Sequence, residues 1–169
     1  DDAGKKIGSS SDISCFSLYP GKNLGAYGDA GIITTNNIKF YKNLKNLRNL
    51  GSDKKFIHSK IGLNSRLDTL QSIILNLKLP KLKQSNNKRR KISKIYDLNI
   101  TNNKLKKLTY SKLAVYHQYV IMTNHRKKLI SYLDKNMIQY GFHYPNSINQ
   151  LDCFKKHFRK KRYPNAENL

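Results

Sequence analysis

Apolar residues in the first third of this chain fall into short runs, separated by polar and glycine-rich segments. Alternating or β-branched residues over 12–18 and 31–35 predict two strands. The asparagine pair at 36–37 supplies a cap for a helix over 38–50, where leucines recur near helical spacing. The segment 56–63 is polar and predicts a plain connection.

A long amphipathic pattern follows. Apolar residues recur at helical spacing over 66–96, and Pro80 is expected to divide this helix, because proline removes a hydrogen bond and clashes with the preceding turn. A turn-rich break lies at 99–103. The remaining pattern predicts a strand, a helix and a returning strand, over 115–122, 125–137 and 141–144. This β-α-β order is typical of the start of a small α+β domain.

The formal net charge of +23 introduces a competing interpretation. Such a surface binds polyanions through counterion release, whatever its fold. The basic residues are spread along the whole chain, however, and the densest runs, 88–91 and 155–162, are interpreted as solvated faces with anion binding as the alternative. The sequence contains no zinc-finger spacing, RNP motif or basic-zipper heptad, so no specific nucleic acid partner is predicted.

The remaining composition indicates a globular domain, since 38% of residues are apolar and 10% are aromatic. Cys15 and Cys153 have neither framework nor metal spacing and are interpreted as reduced thiols, with Cys15 in the core. The histidines show no metal-ligand spacing, and no metal is predicted. Without an apolar run long enough to span a bilayer or an apolar leader, we expect a cytoplasmic protein and no membrane partner.

Lys22 is the strongest candidate for chemistry. It stands between the first two predicted strands in the glycine-rich sequence SLYPGKNLGAYGDAG, residues 17–31. Lysine amines close to aromatic surface and other cations lose their proton more readily, and the free amine attacks carbonyls to form a Schiff base. Ser17 lies at the end of the first predicted strand, five residues before Lys22. A plain surface lysine is the alternative interpretation.

This turn resembles the lysine segment of the DegT/DnrJ/EryC1/StrS family, the pyridoxal-phosphate-dependent nucleotide-sugar aminotransferases. Three further blocks continue the likeness in the family's order and at about its spacing, namely GLNSRLDTLQ, YHQYV and HYP, at 62–71, 116–120 and 143–145. The resemblance implies an α/β fold, as a fragment of a fold-type-I pyridoxal-phosphate-dependent transferase.

The resemblance also implies which part of that fold is present. The segment 1–63 corresponds to the C-terminal part of the large cofactor-binding domain, with the end of its mixed sheet. The segment 64–100 corresponds to the long linking helix, and 101–169 to a truncated small α+β C-terminal domain. We therefore expect a partial chain that forms a homodimer when complete.

Cofactor contacts follow from the same resemblance. It implies that Lys22 forms the Schiff base with pyridoxal 5′-phosphate and then moves a proton between the substrate and the cofactor. It also implies that Ser17 meets the cofactor phosphate, that Asn64 reaches the phosphate of a partner subunit, and that Asp2 pairs with the ring nitrogen. The structural alternatives are a strand-end hydroxyl for Ser17 and a helix cap for Asn64.

Substrate contacts are assigned in the same way. Family likeness places His143 and Tyr144 on a loop that faces the sugar nucleotide, and Tyr19 is placed to face the same pocket. Each of these aromatics has a core role as its alternative. His117 is interpreted as a structural, hydrogen-bonded imidazole rather than a catalytic one.

The leading hypothesis is transamination of a nucleotide-linked keto sugar, with glutamate as the amino donor, for deoxy or amino sugars and surface polysaccharide. A second hypothesis is a truncated and catalytically inactive remnant of such an enzyme. A third is a basic domain that binds polyanions.

Overall fold

The computed structural model describes residues 4, 6–9, 12–158 and 161–167. Packing divides the chain into two compact units, one ending at Thr123 and the other beginning at Asn124. This division lies within the segment predicted as the small domain, and the predicted domain bounds at 63 and 100 stay predictions.

The first unit opens with an antiparallel hairpin of strands β1 (Ser14–Ser17) and β2 (Gly31–Thr34), so both strand predictions are confirmed with shorter ends. The long connection between these strands carries Lys22. Cys15 is exposed, and its predicted core position is wrong. The reason is that alternate side chains of a strand point to opposite faces, and Cys15 lies on the face that the described residues leave uncovered.

Helix α1 (Ile38–Leu47) begins at the predicted cap, where the Asn37 side chain accepts hydrogen bonds from the backbone amides of Lys39 and Phe40. The predicted end at residue 50 is wrong. Leu50 and Gly51 have φ values of 60° and 69°, a left-handed conformation that ends the helix and favours glycine.

A short hairpin follows α1, where the sequence predicts only a polar connection. Strands β3 (Ser52–Lys54) and β4 (Ile57–His58) pair antiparallel with an irregular register. Asn46, buried near the end of α1, donates through its side-chain amide to the Asp53 carboxylate. Polar side-chain contacts of this kind stabilise strands too short to show the alternation on which the prediction depends.

The predicted long helix is divided at Pro80, as expected. Helix α2 (Thr69–Lys78) is followed by a 3-10 turn (Leu79–Lys81) that contains this proline, and helix α3 (Leu82–Asn99) continues beyond it. The start lies at Thr69 rather than 66, because Asp68 caps the helix by accepting a 2.7 Å hydrogen bond from the Leu70 amide.

The core of the first unit lies between the lysine-bearing connection and helix α2. Leu18, Ala26 and Leu75 are buried there, and three half-buried apolar residues pack against them, namely Leu24, Ala30 and Leu67. The connection is therefore a packed element and not a solvated loop.

The predicted strand over 115–122 is mostly wrong. Only β6 (Ile121–Met122) pairs, and its partner is β5 (Lys106–Lys107). The residues before β6 follow an irregular path with Tyr116 at a φ of 45°. Their carbonyl groups accept hydrogen bonds from side chains instead of from a neighbouring strand, as described below.

The second unit begins with helix α4 (Arg126–Lys135), which confirms the helix predicted there. The returning strand predicted over 141–144 is wrong, because that segment is irregular. Consequently the β-α-β unit does not form. Two 3-10 turns (Ile148–Gln150 and Asp152–Phe154) and two short helices, α5 (Lys155–Phe158) and α6 (Pro164–Glu167), complete this unit. Among the described helices, none is both long and apolar enough to cross a bilayer.

Tyr119 anchors the segment before β6 to the end of α3. Its ring centroid lies 4.9 Å from that of Tyr96, and its hydroxyl donates a 2.7 Å hydrogen bond to the Asp97 carboxylate. Partial burial, together with the hydrogen bond and charge of Asp97, raises the pKa of Tyr119 to about 12. Ionising this phenol would place a second negative charge beside Asp97.

We predict that Tyr119 ionises later than an ordinary tyrosine. Because the folded state holds this proton more tightly than the unfolded chain, where tyrosine ionises at about pH 10, the stabilisation is complete below that pH. It disappears as the pH rises through about 12. An ultraviolet titration of tyrosinate absorbance is expected to show a smaller late component in Tyr119→Phe, where Tyr140 still contributes because desolvation and Asp134 raise its pKa as well. The late component is expected to stay unchanged in Tyr132→Phe, which removes an exposed phenol. An unchanged late component in Tyr119→Phe would contradict the assignment.

Candidate active site

The lysine turn, defined as residues 17–31, is closed by three backbone hydrogen bonds. The Leu18 amide donates to the Ala30 carbonyl over 2.9 Å, and the Ala26 amide donates to the Leu18 carbonyl over 2.8 Å. Within the bend, the Lys22 amide donates to the Tyr19 carbonyl, also over 2.8 Å. These bonds fix the backbone on both sides of Lys22.

Gly25 allows the turn to close on itself. A Cβ atom at this position would lie 2.3 Å from the Pro20 carbonyl oxygen, which is well inside van der Waals contact.

The carbonyl of Gly25 accepts a hydrogen bond from the Lys78 ammonium group of helix α2. The same ammonium lies 5.4 Å from the ring centroid of Tyr27. Gln71, also on α2, accepts a 2.7 Å hydrogen bond from the Tyr27 amide. Helix α2 therefore holds the second half of the turn.

The Lys22 amine lies beside an imidazole. Its Nζ is 3.5 Å from Nε2 of His117, a residue 95 positions later in the chain. The sequence assigns His117 a structural role, and the structure places it at the candidate reactive amine. The only sequence feature that pointed to His117 was its place in the YHQYV block, which resembles the family. The sequence does not show where this block lies relative to Lys22 in the folded chain.

The segment 113–117, which carries His117, is held by side chains rather than by a strand partner. Arg90 donates through Nε to the Ala114 carbonyl over 3.0 Å and through Nη2 to the Leu113 carbonyl over 3.1 Å. Arg89 Nη1 donates to the carbonyls of Tyr116 and His117 over 3.3 and 3.4 Å.

Asn23, the neighbour of Lys22, completes this arrangement. Its side-chain amide donates to the Val115 carbonyl over 2.9 Å and to Asn86 Oδ1 over 2.8 Å. Five consecutive carbonyls, 113–117, thus accept hydrogen bonds from the side chains of Asn23, Arg89 and Arg90. We call these three side chains the carbonyl clamp. The basic run 88–91 therefore contains two half-buried arginines with a structural role, between lysines that are exposed.

Three predicted site residues lie together on the lysine turn. Ser17 ends strand β1, as predicted, and its Oγ accepts a 3.4 Å hydrogen bond from the Tyr19 amide. The Tyr19 side chain is 58% exposed, which leaves its ring open to contact. These residues and Lys22 occupy a stretch of six positions.

The other predicted residues are placed elsewhere. Asn64 is exposed near the end of α1, where it forms an isolated antiparallel bridge with Asn49. His143 and Tyr144 belong to the second unit, where both are exposed and their ring centroids are 5.2 Å apart. Asp2 lies outside the described residues. Within the described part of the chain, no three histidine, cysteine or acidic side chains are grouped as metal ligands.

The sequence profile of the DegT/DnrJ/EryC1/StrS aminotransferase family matches residues 1–169. The chain belongs to this family. Similar relatives include a UDP-N-acetyl-3-dehydro-alpha-D-glucosamine 3-aminotransferase of Acidithiobacillus ferrooxidans, 34% identical over 98% of this chain and 45% of the relative. A dTDP-3-amino-3,6-dideoxy-alpha-D-galactopyranose transaminase of Aneurinibacillus thermoaerophilus is 39% identical over 98% of this chain and 46% of the relative.

A solved structure gives the same result for the fold. The crystal structure of S. venezuelae DesV, in complex with a ketimine intermediate, is similar with a TM-score of 0.86 and 33% identity. The likeness covers 90% of this chain and 42% of DesV. The chain therefore has the α/β fold of part of a pyridoxal-phosphate-dependent aminotransferase, and it spans less than half the length of the curated relatives described above.

Enzymes of this family use pyridoxal 5′-phosphate. The donor set of the lysine turn fits an aldehyde that carries a phosphate: a primary amine on Lys22, and at the end of β1 a hydroxyl on Ser17 that can donate a hydrogen bond. The turn is also rigid, since its backbone bonds and the core contact of Ala26 hold it in place. The residues present thus suit the cofactor that the family uses.

We predict that Gly25→Ala disrupts the lysine turn. The added Cβ would overlap the Pro20 carbonyl oxygen, and we expect a loss of at least about 2 kcal/mol in the free energy of unfolding. Gly21→Ala is the matched control on the same turn, because its Cβ would meet nothing closer than Tyr19 ring atoms at 3.8 Å. Chemical denaturation of the two variants measures the difference, and equal stabilities would refute this account of the turn.

Proposed function

We propose that this chain is part of an enzyme that transfers an amino group to a nucleotide-linked keto sugar, with glutamate as the donor and pyridoxal 5′-phosphate as the cofactor. The observation that carries the proposal is the position of Lys22, an amine on a rigid turn beside the His117 imidazole, in a chain of this family. Family membership supplies the reaction class, and the turn supplies a residue suited to it.

Each predicted cofactor-binding residue has a role in this proposal. Lys22 holds the cofactor through a covalent bond to its amine, and when released it moves a proton at the substrate carbon that accepts the amino group. The bound cofactor supplies an electron sink for that proton movement. Ser17 binds the phosphate through its hydroxyl, Asn64 binds the phosphate of the other subunit in a homodimer, and Asp2 pairs with the ring nitrogen.

The substrate class is proposed from the relatives and from charge. The relatives named above act, by their names, on UDP- or dTDP-linked amino sugars. A nucleoside diphosphate is an anion, and a chain of net charge +23 attracts anions over long distance. We propose that His143 and Tyr144, together with Tyr19, bind the sugar nucleotide, and that the product is a deoxy or amino sugar for surface polysaccharide.

We expect pyridoxal 5′-phosphate to modify Lys22 selectively. After incubation with the cofactor and reduction with borohydride, peptide mass analysis is expected to find the added mass on Lys22 in preference to the other lysines. Lys22→Arg keeps the charge but is expected to abolish the modification, because a guanidinium group does not react as a nucleophilic amine. Lys39→Arg, an exposed change on helix α1, serves as the control.

Labelling spread evenly over the exposed lysines would count against the proposal. It would favour instead a catalytically inactive remnant of the family, or a protein that binds the cofactor only through its charge. Repeating the reaction in high salt separates these two, since attraction by charge alone is screened.

A second measurement tests the donor. We expect glutamate to convert the loaded protein to its amine-cofactor form with release of one equivalent of 2-oxoglutarate, and Lys22→Arg to release none. Aspartate and alanine serve as comparison donors in the same assay. If one of them reacts while glutamate does not, the choice of glutamate is refuted and the transamination proposal survives.

A further inference from the structure

We propose that His117 accepts the proton of the Lys22 amine, and that the carbonyl clamp exists to hold this imidazole in place. The inference rests on the proposed function of Lys22 as the reactive amine. His117 Nε2 and Lys22 Nζ are 3.5 Å apart, the outer limit of a hydrogen bond, and contacts of a catalytic base are commonly this long before a ligand binds.

When Lys22 is protonated, the hydrogen bond between Lys22 and His117 can have only one direction. An ammonium group has donors and no acceptor, so Nε2 of His117 must accept and the ring hydrogen must lie on Nδ1. Nε2 first takes one proton from the Lys22 ammonium, and this leaves an amine with a free electron pair. The amine nitrogen then bonds to an aldehyde carbon, and its two remaining hydrogens leave with the aldehyde oxygen as water when the C=N bond forms. The imidazolium returns its proton to solvent, so no other reactant is needed.

The clamp explains how a residue so distant in sequence reaches Lys22. The segment 113–117 has no strand partner among the residues that the structure describes, and its irregular path includes the positive φ of Tyr116. Arg89 and Arg90 hold four of its carbonyls from helix α3. Asn23 holds the central carbonyl from the lysine turn itself. One residue therefore ties the backbone of Lys22 directly to the segment that presents His117.

The arginines are suited to this task because a guanidinium group presents several donors in a fixed planar fork. Arg90 spans two adjacent carbonyls with different nitrogens, and Arg89 does so with one nitrogen. They are positioning residues, since their described hydrogen bonds go to backbone carbonyls and, for Arg90, also to Asn87 Oδ1, and not to the amine. The neighbouring Lys91 is exposed and provides a matched control on the same helix.

Nitrogen NMR of the histidine rings tests the contact directly. At about pH 8, where ordinary histidines are neutral, we expect His117 to carry its hydrogen on Nδ1 and its Nε2 resonance to shift in Lys22→Met. His58 is the internal reference, because its Nδ1 lies 3.0 Å from the Leu50 carbonyl, away from the lysine turn. His117 resonances that are identical in the wild-type chain and in Lys22→Met would overturn the inference.

Competitive acetylation tests the chemical role. We expect His117→Gln to lower the acetylation rate of Lys22 by roughly tenfold or more, measured against Lys39 in the same sample, because the amide keeps an acceptor but is not a base. We expect Arg89→Gln to lower it as well, and Lys91→Gln to leave it unchanged. Acetylation of Lys22 at the wild-type rate in His117→Gln would refute proton acceptance.

A loss of folding can be distinguished from a loss of the contact between Lys22 and His117. A backbone amide spectrum identifies any variant that fails to fold, and Lys22→Met then still tests the contact because it leaves the clamp intact. Neither measurement uses the cofactor. If borohydride labelling with pyridoxal phosphate fails while the His117 results hold, the proposed function is wrong and the pairing is right; the reverse result rejects the pairing alone.

Discussion

The contact between the lysine turn and helix α2 is the constraint on which the candidate site depends. Ala26 is fully buried, and it packs with Leu18 and Leu75 in the only cluster of buried apolar residues among those described. Because a backbone turn rich in glycine loses much conformational entropy on ordering, it needs such an anchor. Hydrogen bonds from Gln71 and Lys78 act on the same half of the turn. The candidate amine of Lys22 is thereby attached to a rigid support.

The carbonyl clamp adds a second constraint, which is polar. Each clamped carbonyl would otherwise need water or a strand partner, since backbone acceptors in folded proteins are nearly always hydrogen-bonded. Arginine and asparagine side chains satisfy all five without forming a sheet, and this leaves the chain free to bend at Tyr116. Part of the large positive charge is therefore structural, and charge alone is a poor guide to the partner.

Elements with strong local signals were predicted well. The Asn37 cap, the division at Pro80 and the hairpin strands around the lysine turn each depend on the chemistry of a few neighbouring residues. The failures have a common cause. The hairpin of β3 and β4, the irregular segment 113–117 and the missing strand at 141–144 depend on side-chain contacts or partners distant in sequence, which periodicity does not report.

The features of the candidate site also differ in how far the sequence could predict them. The sequence by itself determined the family, the candidate amine of Lys22 and the strand-end position of Ser17, because these are local motifs on one turn. Only the tertiary structure decided that His117 meets Lys22 and that Arg89 and Arg90 bind backbone rather than solvent. The physical reason is that a residue's partner across 95 positions is set by the packing of a helix and a turn, and no local pattern encodes that packing.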